Sequence, residues 1–168
     1  MNRLLKRGFT LIELLVVIAI IAVIVAFALT NFVGARQRAK DIKKKSELQS
    51  IKTAIRLYYN DNGAYPGPTT MAINDLDGCG TTKVASCINA CTGQFAAGPN
   101  GCDTVYMKQL PPASSYAWYY RNVAGGDDFC IWTALENPSD ADIANSHIQC
   151  QANCNAVVPA ADYVVCAD

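Results

Sequence analysis

The sequence is poor in the side chains from which most enzymes build an active site. Its only histidine, His147, stands beside no obvious nucleophile or carboxylate pair, and no glycine-rich phosphate loop or dinucleotide-binding fingerprint occurs. These missing combinations argue against Ser-His-Asp catalysis and against nucleotide chemistry. We therefore predict that the chain is not an enzyme and that His147 is a surface or loop residue.

Proline is missing between Phe9 and Asn60, and this stretch contains a single glycine. Without helix breakers it is predicted to form one helix of about fifty residues, roughly 75–80 Å long at 1.5 Å per residue. Charged and hydrogen-bonding side chains are also missing from Leu14 to Leu29. Residues 9–33 are therefore predicted to span a membrane.

The second half of the predicted helix, residues 34–62, is amphipathic. Apolar residues recur in it at helical spacing with lysine and arginine between them, at Leu48, Ile51, Ile55 and Tyr58. We predict that this stem rests its apolar stripe on a protein core. The run from Asn60 to Gly63 and the following Pro66 predict where the helix ends.

Charge is unevenly distributed, although the formal net charge of the chain is zero. Residues 1–8 have three basic groups and no acid, and residues 9–33 have only Glu13. Residues 34–57 hold eight basic groups and two acids, whereas residues 58–168 hold three basic groups and eleven acids. A basic leader predicts a cytoplasmic N-terminus and a translocated acidic C-terminal part.

The basic block from Arg36 to Lys45 raises the question of nucleic-acid binding. It has no interleaved aromatic residues and would wrap around a helix instead of lining a groove. We interpret it as a solvated or subunit-facing stem, and we do not expect the chain to bind nucleic acid directly.

Glu13 is the one charged residue of the apolar segment. A carboxylate in lipid is costly, roughly 2.5–3.5 kcal/mol at a helix centre and less near an interface. If the chain is cut after Gly8, Phe9 gains a positive amine, which can pair with the Glu13 carboxylate of a neighbouring subunit. The sequence therefore predicts self-assembly.

The run KRGFTLIEL, from Lys6 to Leu14, resembles the processing site of type IV prepilins and type II secretion pseudopilins. In that family a membrane peptidase cuts after the glycine and methylates the new amine. The resemblance implies cleavage of a leader, residues 1–8, after Gly8, N-methylation of Phe9 and an assembly role for Glu13. The competing interpretation is a plain signal anchor that contains a glutamate.

Two later segments extend the resemblance, and two departures limit it. The run from Leu57 to Pro66 is similar to the helix-exit loop of major pseudopilins and related pilins, and the run from Tyr106 to Pro111 looks like the segment that leads into their sheet. Thr30 stands where many members carry proline. The aspartate-proline-tryptophan-glycine stretch of many secretion pseudopilins is missing, which favours a pilus over a secretion system.

The remaining residues, 63–168, are predicted to form one head with a small antiparallel sheet. Alternating residues from Ser115 to Val123 and from Phe129 to Leu135 flank a glycine-rich turn and predict a hairpin. A short helix is predicted to follow the break at 137–140 and to reach about His147, a last strand is predicted at Tyr163–Val165, and residues 67–104 are predicted to form a long irregular loop. The aromatic stripe Tyr116, Trp118 and Tyr120 is interpreted as core. The fold class is thus α+β: a long N-terminal helix packed on a small antiparallel sheet, with many disulfides.

All eight cysteines lie in the head. An even number confined to the translocated part predicts disulfides, with pairing that spacing alone does not choose. Local pairing within 79–102 and within 130–166 is our expectation. Zinc is the competing interpretation, because two cysteine pairs are spaced C-x3-C. The cysteines are Cys79, Cys87, Cys91, Cys102, Cys130, Cys150, Cys154 and Cys166.

Metal sites are weakly marked in the sequence. The run from Asn74 to Gly78 slightly resembles a calcium loop but lacks the third oxygen ligand and the distal glutamate. Asp127 with Asp128, and Asp140 with Asp142, are other calcium candidates, since major pseudopilins often bind calcium in the head. We predict no cofactor, with calcium as the alternative.

The resemblance implies a structural role. The subunit would be stored in the inner membrane as a single-pass protein, processed by prepilin peptidase and passed to an inner-membrane assembly platform. Copies would then polymerise into an extracellular type IV pilus that serves adhesion, motility or DNA uptake. The alternatives are a major pseudopilin of a type II secretion system and a membrane-tethered monomeric binding domain.

Overall fold

The computed structural model describes residues 8–67, 72–73, 76, 94–97, 104–112, 114–150, 154 and 156–167. The chain divides into two compact units between Ala39 and Lys40. Two helices are described, α1 (Leu11–Asn62) and α2 (Ala141–Gln149). The described strands are β1 (Ala72–Ile73), β2 (Phe95–Ala97), β3 (Thr104–Met107), β4 (Trp118–Val123), β5 (Asp128–Ala134) and β6 (Asp162–Cys166).

The first unit contains the N-terminal part of α1, whose large apolar side chains are exposed around the helix. Ile18, Val23 and Ile24, for example, lie on three different sides of a helix with about 3.6 residues per turn and are each more than half exposed. Within the described residues no single helix meets a length-and-hydropathy criterion for crossing a membrane. A bent pair of helical pieces, Leu11–Phe27 with Phe32–Asn62, meets it by length and composition.

In the second unit, one stripe of α1 shares a core with a four-stranded antiparallel sheet of order β1-β4-β5-β6. Leu48, Ile51, Ile55 and Tyr58 are at most 2 % exposed, which confirms the apolar stripe predicted for the stem. The helix ends where Gly63 adopts φ of 68° and donates its N–H to the Tyr59 carbonyl oxygen at 2.8 Å. Glycine accepts this left-handed conformation without a Cβ clash.

The predicted hairpin is confirmed. Strand β4 pairs with β5 in antiparallel register, with Tyr120 opposite Ile131, across a 3₁₀ turn at Ala124–Gly126. Strand β6 pairs with the other edge of β5, which places Val165 opposite Ile131 and confirms the predicted last strand. The α+β fold class is therefore as predicted.

The predicted aromatic stripe belongs to this core. Trp118 and Tyr120 are fully buried, and Tyr116 is partly buried at the edge of the cluster. The polar atoms of the two buried rings are satisfied: Trp118 Nε1 donates to the Pro111 carbonyl oxygen at 3.0 Å, and Tyr120 Oη donates to that of Pro66 at 2.7 Å. Burial of amphipathic rings with their donors paired supports a structural role for the stripe.

The opposite face of the sheet carries a second core. Trp132 is 1 % exposed and stacks on Tyr119 at a centroid distance of 5.5 Å. The cysteines of the described disulfides and two valines, Val158 and Val164, complete this cluster. This second cluster was not predicted from the sequence.

Parts of the segment predicted as an irregular loop, residues 67–104, form strands, so that prediction was wrong there. Strand β1 pairs with β4, and β2 pairs with β3 across a register shift between Phe95 and Ala96. Strands of two or three residues are too short to show alternation, and all three residues of β2 are buried. The described part of the predicted loop is limited to residues 67, 72–73, 76, 94–97 and 104, so the rest of that prediction lies outside the described residues.

Helix α2 is slightly longer than predicted. Asp140 caps it by accepting a hydrogen bond from the Asp142 amide, and Cys150 ends it. His147, predicted to be a surface or loop residue, lies in the last turn of this helix and is partly buried. Its Nε2 is 2.9 Å from the Asp162 carbonyl oxygen, so His147 connects α2 to β6.

Candidate processing and assembly site

The N-terminal end of α1 is closed by a pair of reciprocal contacts between Thr10 and Glu13. Glu13 Oε2 accepts from the Thr10 amide and from Thr10 Oγ1, both at 2.9 Å. Thr10 Oγ1 in turn accepts from the Glu13 amide at 3.3 Å. This is a capping box, in which a threonine before the helix and a glutamate in its first turn satisfy each other's amides.

The capping box adds an internal contact to the pairing of Glu13 with a neighbouring subunit, which stays a prediction. Thr10 supplies an internal partner, which the sequence interpretation missed. The T-x-x-E spacing before an apolar run is the pattern that could have identified it. A carboxylate accepts several hydrogen bonds, so the internal contact leaves the predicted pairing with an incoming amine possible.

Gly8 and Phe9 precede the helix in an open setting. Among the described residues no atom lies within 4 Å of the position that a Cβ at Gly8 would take. Phe9 is 83 % exposed. The described fold therefore gives no internal reason for a glycine at this position, and a requirement for glycine would have to come from another molecule.

The apolar surface that follows is shaped like a helix-packing surface. Leu15, Ala19 and Val23 form one row at four-residue spacing, and Val16, Ile20 and Ile24 form the next, with a groove between the rows. Rows at this spacing interdigitate with those of another helix. The first unit thus carries a capped, apolar helix suited to packing against other helices.

A second polar cluster lies inside the second unit, where α1 contacts the segment between β5 and α2. Asp41 is 1 % exposed, and its two carboxylate oxygens accept from the Glu136 amide at 2.7 Å and from the Asn137 amide at 3.0 Å. Lys44 Nζ donates to the Ala134 carbonyl oxygen at 2.9 Å and to Glu136 Oε1 at 3.2 Å. We call these contacts the latch, since they attach the start of the stem to the head.

Lys45 extends the latch to helix α2. Its Nζ lies 2.7 Å from Asp140 Oδ2 and 2.6 Å from Asp142 Oδ2. Burial by itself lowers the pKa of Lys45, but the hydrogen bonds to Asp140 and Asp142 outweigh it and raise that pKa overall. The hydrogen bond from Lys45, assisted by the Asp142 amide, holds the pKa of Asp140 below its ordinary value.

Four of the eight cysteines lie in the described residues, and they form two disulfides. Cys130 pairs with Cys154 and Cys150 with Cys166, both within the segment 130–166. A zinc site at the C-x3-C pair of Cys150 and Cys154 is therefore wrong, since the two belong to different bridges. The other four, Cys79, Cys87, Cys91 and Cys102, lie outside the described residues.

Several of the candidate calcium-binding aspartates have other partners in the second unit. Asp140 and Asp142 are already paired with Lys45, and Asp128 Oδ1 accepts from the Phe129 and Ala167 amides at 2.7 and 3.3 Å. Within the described ranges no group of three or more His, Cys, Asp or Glu side chains is arranged to hold a metal ion. The candidate loop 74–78 is described only at Leu76.

The sequence of the chain is similar to those of several known proteins. Residues 3–29 match the family model for the prokaryotic N-terminal methylation motif. The chain is 33 % identical over 113 residues to the type IV wide pilus major component PilA4 of Thermus thermophilus, which covers 66 % of this chain and 86 % of that protein.

Shorter matches are confined to about a third of the chain. The type IV major pilin protein PilA of Myxococcus xanthus is 39 % identical over 60 residues, 36 % of this chain and 27 % of that protein. The type II secretion system core protein G of Pectobacterium carotovorum is 38 % identical over 61 residues, 36 % of this chain and 39 % of that protein. The chain thus spans about a quarter to two fifths of these two relatives.

No solved structure matches the chain significantly. The capped apolar helix, the methylation motif and the match over most of a pilus component nevertheless agree with one another. This chain belongs to the prepilin family, which includes type IV pilins and type II secretion core protein G.

Proposed function

We propose that this chain is a structural subunit of a type IV pilus. A prepilin peptidase would remove residues 1–8 and methylate the amine of Phe9, and an inner-membrane assembly platform would then add the subunit to a growing filament. The role is structural rather than enzymatic. The observation that carries the proposal is the methylation-motif match over a helix whose apolar side chains are exposed on every side.

The physical basis of assembly is exchange of one apolar environment for another. The exposed rows of α1 would lie in the inner membrane before assembly and pack against equivalent helices in the filament afterwards. Moving such a helix from lipid into a helix bundle exposes little apolar surface to water. Glu13 would select a neighbour whose Phe9 amine lies at the same height, and so set the register.

A pilus is favoured over a secretion system by the extent of the matches. The match to the wide pilus component covers 66 % of the chain and so reaches beyond α1, whereas the first core protein G match covers 36 %. A major pseudopilin of a type II secretion system remains the second candidate, because core protein G relatives recur among the matches.

The test compares Glu13→Gln with Glu13→Val in the full chain, expressed with its processing and assembly proteins. Glutamine can occupy the same capping position as glutamate, whereas valine cannot. Gln therefore removes the charge and keeps the helix cap. If pairing with the Phe9 amine drives assembly, both variants should lower sheared-filament yield by about tenfold or more, because either one leaves the amine unpaired in an apolar core.

The controls are membrane insertion and head folding, both of which should persist in the two variants. Mass spectrometry of wild-type filaments should find a chain that begins at methylated Phe9. A mature protein that retains residues 1–8 would contradict the proposal. Normal filaments from Glu13→Gln would show that Glu13 serves only as a cap. A chain that stays monomeric and whose behaviour is unchanged by Glu13→Val would support the membrane-tethered binding domain.

A further inference from the structure

The three consecutive lysines of the stem are divided between two environments. Lys44 and Lys45 are only 11 % and 17 % exposed and are held by the latch at distances of 2.6–3.2 Å. Lys43 is 68 % exposed, and Lys40, one turn earlier, is 52 % exposed. Their nearest internal carboxylates, Glu47 and Glu136, are 3.7 and 3.8 Å away, beyond good hydrogen-bond distance. Lys40 and Lys43 therefore retain donors for an external acceptor.

These two lysines border a concave surface. One cavity of about 370 Å³ is lined by Lys43, Glu47, Met107, Gln109, Leu110, Pro111, Pro112 and Ser115. A second, of about 270 Å³, is lined by Lys40, Lys43, Lys44, Ser115, Tyr116 and Glu136. We call the two together the basic cleft: three lysines face two glutamates, which leaves one net positive charge.

The opposite charge lies at the other end of the same unit. Asp127 is exposed at the β4–β5 turn, as is Gly125, whereas Gly126 between them is buried. The Gly126 carbonyl oxygen accepts from the Tyr65 amide at 3.0 Å, which attaches this turn to the C-terminal end of α1. From Lys43 to that end the helix runs for roughly 28 Å at 1.5 Å per residue.

We propose that the basic cleft of one subunit receives the β4–β5 turn of a second copy of this chain. The inference rests on the proposed filament function and names a contact within it. One exposed aspartate balances the net charge of the cleft, and the exposed Gly125 near it has no side chain that would obstruct an approach. Because the two surfaces are different and lie at opposite ends of the unit, the contact is head-to-tail, which generates open helical assemblies when the rotation does not close.

The test is a charge exchange. Lys43→Glu places like charges in the contact, as does Asp127→Lys, so each single variant should lower filament yield by about tenfold. The double variant, Lys43→Glu with Asp127→Lys, restores opposite charges and should recover most of the yield. Arg36→Glu, the same change of charge at an exposed residue earlier on the stem, is the control and should assemble normally. Formation of both described disulfides and an unchanged thermal unfolding midpoint verify folding of each variant.

The outcomes separate this contact from the function on which it rests. Two defective single variants and a recovered double variant would support the contact. Normal filaments from both single variants, or a double variant no better than either of them, would overturn it while leaving the pilus proposal intact. A wild-type chain that is processed but forms no filaments would overturn both.

Discussion

The two ends of helix α1 differ in how their apolar side chains are exposed. In the first unit the large apolar side chains around the helix are exposed, as at Ile20, which is 55 % exposed. In the second unit one stripe of apolar residues is buried, as at Ile51, and lysines occupy its flanks. The first unit thus presents an exposed apolar helix surface, whereas in the second unit the head covers the apolar stripe of the helix.

The difference separates assembly from stability. Substitutions in the first unit remove contacts that form only in lipid or in a filament, so they should affect assembly and leave the head folded. Substitutions in the stripe of the second unit remove contacts that form in the isolated subunit, so they should affect folding first. Four matched experiments test this division, beginning with the largest expected effect.

Ile51→Ala should lower the free energy of unfolding of the head by about 2–5 kcal/mol, because it leaves a cavity in a closely packed core. Ile20→Ala removes the same atoms from an exposed position and should change the free energy of unfolding by no more than about 0.5 kcal/mol. Denaturant unfolding of the detergent-solubilised chain, followed by fluorescence of Trp118 and Trp132, measures both. Equal losses from the two variants would show that the division is wrong.

Removing one bridge by Cys130→Ala with Cys154→Ala should cost about 2–4 kcal/mol of head stability, since it frees the unfolded chain from a loop with a sequence separation of 24. The first unit contains no cysteine, so its insertion into membranes should not change. Unfolding midpoints measure the loss of head stability, and membrane fractionation measures insertion. Reduced insertion of the variant would contradict the independence of the units.

Asp41→Ala should destabilise the head by about 1–3 kcal/mol, because it leaves the Glu136 and Asn137 amides without their buried acceptor. Arg38→Ala, three residues earlier and on the other side of the division between the units, should stay within about 0.5 kcal/mol. The same unfolding assay compares them. A similar loss from Arg38→Ala would move the boundary of the folded unit toward the N-terminus.

The smallest expected effect is on pH dependence. The pKa of Asp140 is lowered below its ordinary value of 3.8 by the hydrogen bond from Lys45. Its contribution to stability is therefore fully present above about pH 3.8 and is lost as the pH falls through the lower folded-state value. For a partly exposed pair this is worth less than about 1 kcal/mol.

Lys45→Met should flatten that part of the stability profile, which can be measured as unfolding midpoints between pH 2 and pH 6. Lys43→Met provides the control. Because the Lys43 side chain is outside the latch, this substitution should leave the loss of stability at low pH unchanged. If Lys45→Met loses as much stability at low pH as the wild-type chain does, the pH dependence of stability comes from other carboxylates.

The sequence was sufficient for the elements that repeat a pattern over many residues. The missing prolines predicted α1, the spacing of Leu48, Ile51 and Ile55 predicted its buried face, and strand alternation around a glycine-rich turn predicted the hairpin. Each of these three elements follows from a pattern that repeats over several neighbouring residues.

The remaining features depend on contacts between residues far apart in the sequence. The buried carboxylate of Asp41 accepts from amides about 95 positions away, and nothing near it in the sequence marks it as different from other stem residues. The second core at Trp132 depends on which cysteines pair, which spacing does not specify. Thr10 is an exception: its capping role is local and follows from the T-x-x-E spacing.

The order of the two described disulfides has one more consequence. Cys150 lies between Cys130 and Cys154, so the two bridges overlap along the chain instead of enclosing separate loops. A protease that hydrolyses any single peptide bond between Cys130 and Cys166 therefore leaves both fragments joined through sulfur. A head cut once at such a position would therefore remain one covalently connected unit.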